Sequence, residues 1–176
     1  TTGRIGLVYL ITPDISVYAS NSRAVEPTTP LVSIAGAQLA FSLQPSRQWE
    51  VGTKTTVLGG RLDTTVAYFR IGKRNILTST IVDGVRLNQQ IGKQVSDGLE
   101  FAFRSRPFSN FFLSGDFALT NAEYADFNEN VGTGIISRSG NDVPHVAPVV
   151  WNLTPAQRIG PVTVSASVRT VGARWG

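Results

Sequence analysis

The chain has 176 residues, a formal net charge of +4, one His and neither Cys nor Met. Zero Cys excludes a disulfide scaffold, a Cys-ligated zinc site and a thiol nucleophile. The basic residues are scattered, with Lys73-Arg74 the longest pair, so no nucleic-acid-binding stripe is expected. No apolar run approaches the roughly 18 residues of a membrane helix. No signal-peptide pattern opens the chain, and the start at Thr1 reads as a cut or processed end.

Val, Thr, Phe, Tyr, Ser and Gly recur in alternating runs, the mark of strands with one apolar face. The pattern predicts eight strands, over about 3–11, 14–23, 47–58, 61–77, 93–105, 111–124, 145–156 and 162–172. Thr12-Pro13-Asp14, Gly59-Gly60, Pro107-Phe108-Ser109-Asn110 and Ile159-Gly160-Pro161 supply tight turns. Gly59-Gly60 suits a two-residue hairpin because glycine reaches positive φ without steric cost. Long segments near 24–46, 78–92 and 125–144 separate these hairpins. Short and long connections therefore alternate, as short periplasmic turns and long extracellular loops do in a transmembrane barrel.

Polarity agrees with that reading. Trp49, Val51, Thr53, Thr55 and Val57 share one face of the third strand, against Gln48, Glu50, Gly52, Lys54 and Thr56. Leu99, Phe101 and Phe103 oppose Glu100, Ala102 and Arg104 in the fifth. The second face is polar but lightly charged, as a wet interior would be. The Gly59-Gly60 turn predicts a register that pairs Val57 with Leu62, Val51 with Tyr68 and Trp49 with Arg70, all on the apolar face. Arg70 then reaches lipopolysaccharide phosphates at the rim and rests on the Trp49 indole. Lys54 and Asp63 become diagonal neighbours suited to an ion pair. Trp49, Tyr68 and Trp151 fit an aromatic girdle.

Ser46-Arg47-Gln48-Trp49-Glu50-Val51-Gly52-Thr53-Lys54 resembles a phrase of TonB-dependent siderophore receptors. Gly60-Arg61-Leu62, Ala67-Tyr68-Phe69-Arg70-Ile71, Lys73-Arg74-Asn75-Ile76-Leu77 and Ser96-Asp97-Gly98-Leu99-Glu100 resemble its next strands. Val143-Pro144-His145 and the stretch from Val168 to Gly176 resemble its last third. The resemblance covers nearly the whole chain. It implies an all-β, antiparallel up-and-down barrel segment in the bacterial outer membrane, part of a roughly 22-stranded barrel closed around a plug. Residues 1–176 would form a partial barrel domain, with the plug and the last strands outside them. It further implies uptake of a ferric siderophore, energised by TonB through the absent plug domain, with outer-membrane lipid and lipopolysaccharide around the wall. A segment of this kind would form no transport-competent pore alone, because its edge strands would leave backbone groups unpaired in hydrocarbon.

Candidate sites are few. The resemblance implies ligand capture by extracellular loops, and Tyr124, Asp126, Phe127, Asn128, Glu129 and Asn130 mix aromatic, amide and acid there. His145 has no second metal-ligating partner and no nucleophile motif beside it. Val131-Gly132-Thr133-Gly134 lacks the strand–turn–helix context of a phosphate loop. No enzyme, metal or cofactor is expected. The alternative reading is a complete small eight-stranded outer-membrane barrel, adhesin-like or lipid-modifying. Eight strands can close on a filled interior, but Gly52, Ala67, Gly98, Ala102 and Ser114 are small for that task.

Overall fold

The computed structural model describes residues 2–26, 42–82, 85–130 and 134–174. The strands are β1 (Gly3–Thr12), β2 (Ile15–Glu26), β3 (Gln44–Val57), β4 (Leu62–Val82), β5 (Val85–Phe108) and β6 (Phe111–Asp126). A small hairpin, β7 (Asn128–Asn130) with β8 (Ile135–Ser137), precedes β9 (Val149–Ile159), β10 (Val162–Ser165) and β11 (Val168–Val171). One antiparallel sheet runs β1-β2-β3-β4-β5-β6-β9, and both β10 and β11 pair with β9. Neighbours pair in sequence order, as the alternating connections predict.

The register of the third and fourth strands is the expected one. Val57 faces Leu62, Val51 faces Tyr68 and Trp49 faces Arg70. The turn is slightly wider than two residues of positive φ, because Leu58 at 56° joins Gly59 at 66° and Gly60 at 82°.

Three expectations are corrected. Residues 78–82 and 85–92 are strand and not loop, because β4 continues to Val82 and β5 starts at Val85. Their Thr and Ile content supports strand, and Asn75 absorbs the slip in register at a φ of 58°, a conformation Asn tolerates. The strand expected from 145 starts at Val149 instead. His145 sits at a φ of 65°, outside the β region. The last strand is split after Ser165, although the register with β9 is the same on both sides. Pro155 explains the break. Its carbonyl accepts from the Ala166 amide at 3.2 Å, but proline has no N–H to return the bond. Much of the expected long segment 24–46 lies outside the described residues.

Among the described residues the sheet has no second layer and almost no core. Among the described residues the buried apolar side chains are Ala67, Phe69 and Ala122. A soluble β-domain buries one sheet face against another layer. Here Trp49, Val51, Val66, Tyr68, Leu99, Phe101, Phe117 and Leu119 stand exposed on one continuous face. A patch of that extent needs an apolar surrounding. The two edges, β1 on one side and β10 with β11 on the other, do not pair among the described residues. The sheet is therefore open, which does not favour the closed eight-stranded barrel.

Candidate functional site: a two-faced barrel wall and its outer rim

Period-2 alternation through a continuous register carries each face across the sheet. The polar face holds Tyr18 and Ser20 on β2, Glu50 and Lys54 on β3, Asp63 and Ala67 on β4, Glu100 and Arg104 on β5, and Asp116 on β6. Near the short turns this face encloses a concavity of about 600 Å³. Lys54, Asp63, Arg104, Asp116 and Asn152 line it, so the sheet curves toward its polar side there.

Close packing replaces a core on this face. The Tyr18 ring covers Gly52, where an added Cβ would stand 2.7 Å from ring carbons. Phe69 covers Gly98 in the same way, at 2.8 Å. Each ring faces its glycine directly across the ladder. Glycine lets the ring lie on the backbone, and the ring shields the strand that glycine would weaken. On the other face Phe103 covers Gly115, again its direct partner.

The polar network differs from the expected one. Lys54 and Asp63 form no ion pair. Lys54 lies 5.4 Å from the Tyr18 ring centre, and Asp63 accepts from the Thr56 hydroxyl at 2.7 Å. The Tyr18 hydroxyl donates to Glu50 at 2.8 Å, and the Gln48 amide donates to the other oxygen at 3.1 Å. The Asn152 amide donates to Asp116 at 2.6 Å, tying β9 to β6.

The apolar face ends at a basic, aromatic rim. Trp49 is 54% exposed there. The cation over its indole is Arg47, at 4.8 Å, and not Arg70 as expected. Arg47 and Trp49 are two residues apart on one strand and so share a face, a spacing the sequence displayed. Arg70 keeps its expected place as the cross-strand partner of Trp49.

The loop candidates separate into two groups. Tyr124 and Phe127 stack at 4.5 Å, and the Phe127 ring lies over Gly92. Tyr124 pairs with Gln94, on the polar side. A shift at the following residue brings Asp126 opposite Lys93 on the apolar side, where the two form a 3.0 Å ion pair. Asn128, Glu129 and Asn130 belong to β7, paired to Ser137, Ile136 and Ile135. Val131, Gly132 and Thr133 lie outside the described residues. His145 is exposed. No cluster able to hold a metal occurs among the described residues.

A single-layer antiparallel sheet, apolar on one face and polar and concave on the other, is the wall of a transmembrane β-barrel. The chain belongs to the family described as TonB dependent receptor-like, beta-barrel, which matches residues 1–176. Barrels of this family lie in the outer membrane of Gram-negative bacteria. The sequence is similar to the metal-pseudopaline receptor CntO of Pseudomonas aeruginosa, 32% identical over 133 residues, covering 76% of this chain and 18% of that protein. It is also similar to an uncharacterized TonB-dependent receptor of Haemophilus influenzae, 27% identical over 127 residues, 72% of this chain and 36% of that one. The fold matches the ferric-catecholate import receptor Fiu of E. coli with a TM-score of 0.72 and 21% identity, over 97% of this chain and 24% of that one. It matches the siderophore receptor PiuA of Acinetobacter baumannii with a TM-score of 0.74 and 20% identity, over 97% and 26%. The chain thus spans between about a fifth and about a third of these curated relatives and about a quarter of these structures.

Proposed function

We propose that this wall belongs to an outer-membrane receptor that imports ferric siderophores, with TonB acting through a plug domain outside residues 1–176. The observation that carries the reading is the match of the whole chain to the receptor-barrel family. The likeness in fold to siderophore receptors supports it. The protein binds and moves its cargo and performs no chemistry on it. Residues 1–176 act as a partial barrel domain within a roughly 22-stranded barrel. Tyr124 and Phe127 are the ligand contacts best supported among the six loop candidates, because their stacked rings stand above the polar face. Asp126 is occupied by Lys93, and Asn128, Glu129 and Asn130 serve through the β7–β8 hairpin. Lipopolysaccharide surrounds the outer rim.

A second cargo, a chelate of another metal, is favoured by the similarity to the metal-pseudopaline receptor. Uptake of radiolabelled iron, zinc and nickel chelates by cells with and without the intact receptor gene tests both. Uptake of one chelate that disappears on loss of either the receptor or TonB is expected. Uptake that survives loss of TonB would contradict the mechanism, and a non-iron chelate as the cargo would select the second reading.

A further inference from the structure

Four arginines crowd one corner of the apolar face. Arg47 stands directly opposite Arg23 on β2 and directly opposite Gly72 on β4. Arg70 and Arg74 lie two residues either side of Gly72 and on its face, so both are diagonal neighbours of Arg47. Diagonal neighbours are within reach of long side chains. All four arginines are exposed. A side chain at Gly72 would meet nothing within 4 Å, so the arginines surround an open notch.

Such a group costs stability unless something neutralises it. Like charges directly opposite one another on a sheet repel. The ion pairs among the described residues join Lys73 to Glu26 and Lys93 to Asp126. Asp97 is the cross-strand partner of Arg70, yet it forms no ion pair with it. Lys93, the cross-strand partner of Arg74, is itself a cation and already holds Asp126. Among the described residues none of the four arginines therefore has an ion-pair partner, and a bound anion would supply one.

The position says what kind of anion. Trp49 lies just below, with Arg47 braced on its indole, and Val51, Val66 and Tyr68 continue the exposed apolar surface downward. Cations above a tryptophan at the end of a lipid-facing surface stand at headgroup level. A guanidinium fork matches phosphate oxygens in pairs. We propose that Arg23, Arg47, Arg70 and Arg74, grouped around the Gly72 notch, form a binding site for the phosphates of an outer-leaflet glycolipid whose acyl chains lie on the apolar face below. The site rests on the reading of this chain as an outer-membrane wall with its long connections outside.

The test uses the mature protein carrying these residues, purified from outer membranes in detergent. The probe is lipid A with both phosphates, and native mass spectrometry reads the bound fraction. Replacing all four arginines with Gln should weaken binding by roughly tenfold or more, given the contribution of each basic residue at an anionic surface. Replacing them with Lys should restore part of it. Gly72→Leu, which fills the notch and keeps every charge, should also weaken it. Unchanged binding in the Gln and Leu variants would overturn the site, as would equal binding of lipid A stripped of phosphate. Displacement by inorganic phosphate at equal concentration would overturn it too, by making the cluster a free-anion site. Heat-modifiable gel mobility reports insertion. A wild type that does not insert defeats the barrel reading itself, whereas normal insertion with unchanged lipid binding defeats only the site. If the Gln variant does not insert, lipid A binding by Gly72→Leu decides: weakened binding upholds the site and unchanged binding overturns it.

Discussion

From Leu62 to Arg74 the ladder between β4 and β5 runs without a shift, whereas beyond Arg74 it slips twice within three residues. The ladder between β5 and β6 behaves alike, regular from Ser105 back to Gln94 and shifted before Lys93. The regular zone is held by rings on glycines, Tyr18 on Gly52, Phe69 on Gly98 and Phe103 on Gly115. The shifted zone carries the Lys93–Asp126 ion pair and one further ring on a glycine, Phe127 on Gly92, while the Lys73–Glu26 pair lies at the border between the two. The contrast follows from the surroundings. In hydrocarbon every backbone group must be paired, so the ladder cannot slip. In water an unpaired group is solvated, and bulges are free to re-aim side chains.

Single substitutions break or sharpen this contrast, and the largest effect belongs to the lipid face. Leu119 and Ala118 are neighbours in the middle of β6. Leu119→Arg should destabilise the inserted protein by about 2–4 kcal/mol, the penalty of a midplane charge toward lipid. Ala118→Arg points the other way, opposite Glu100, and should cost well under 1 kcal/mol, the scale of exposed ion pairs. Urea titration in lipid bilayers measures both, and equal losses would contradict the two-faced wall.

The next effect tests the ring-on-glycine contacts. A Cβ at Gly98 would meet the Leu119 carbonyl and the Phe69 ring, so Gly98→Val should cost about 1–3 kcal/mol through overpacking. At Gly6 a Cβ would make ordinary contact at 3.5 Å, and Gly6→Ala should be near neutral in the same titration. Tyr18→Phe comes third. It keeps the ring over Gly52 and loses the hydroxyl bond to Glu50, for a loss of about 1 kcal/mol. The smallest effect lies at the shifted end. Lys93→Ala removes an ion pair whose partners are 54% and 51% exposed, so the change should stay below about 1 kcal/mol and shrink with added salt.

The regular zone was legible in the sequence because its surroundings impose the period. Alternation at Trp49 to Val57, with Gly59-Gly60 behind it, fixed the face and partner of every residue in that hairpin. The shifted zone was not legible for the converse reason. Asn75 at positive φ and the slip before Lys93 change which face later residues take, and neither leaves a mark in the alternation. Asp126 is thus close to Tyr124 and Phe127 in sequence but ends on the other face. Two prolines acted in ways that hydropathy does not carry: Pro155 divides the last strand, and Pro148 precedes the late start of β9. Cross-strand pairing points to Arg70 as the cation beside Trp49, whereas the i+2 relation of Arg47 to Trp49 on the same strand puts Arg47 over the ring.

One face of this sheet meets lipid and the other the barrel interior. These 176 residues contain no Cys, so in a receptor cleared of any cysteine elsewhere a single one introduced here is a unique attachment point for a spin label. Labels placed in turn at Leu99, Glu100, Phe101, Ala102, Phe103 and Arg104, in the membrane-inserted protein, can be relaxed by lipid-soluble oxygen or by a water-soluble nickel chelate. The wall predicts that oxygen dominates at Leu99, Phe101 and Phe103 and falls at Glu100, Ala102 and Arg104, with a period of two residues. Oxygen access that does not alternate, or that is strongest at Glu100, Ala102 and Arg104, would contradict it.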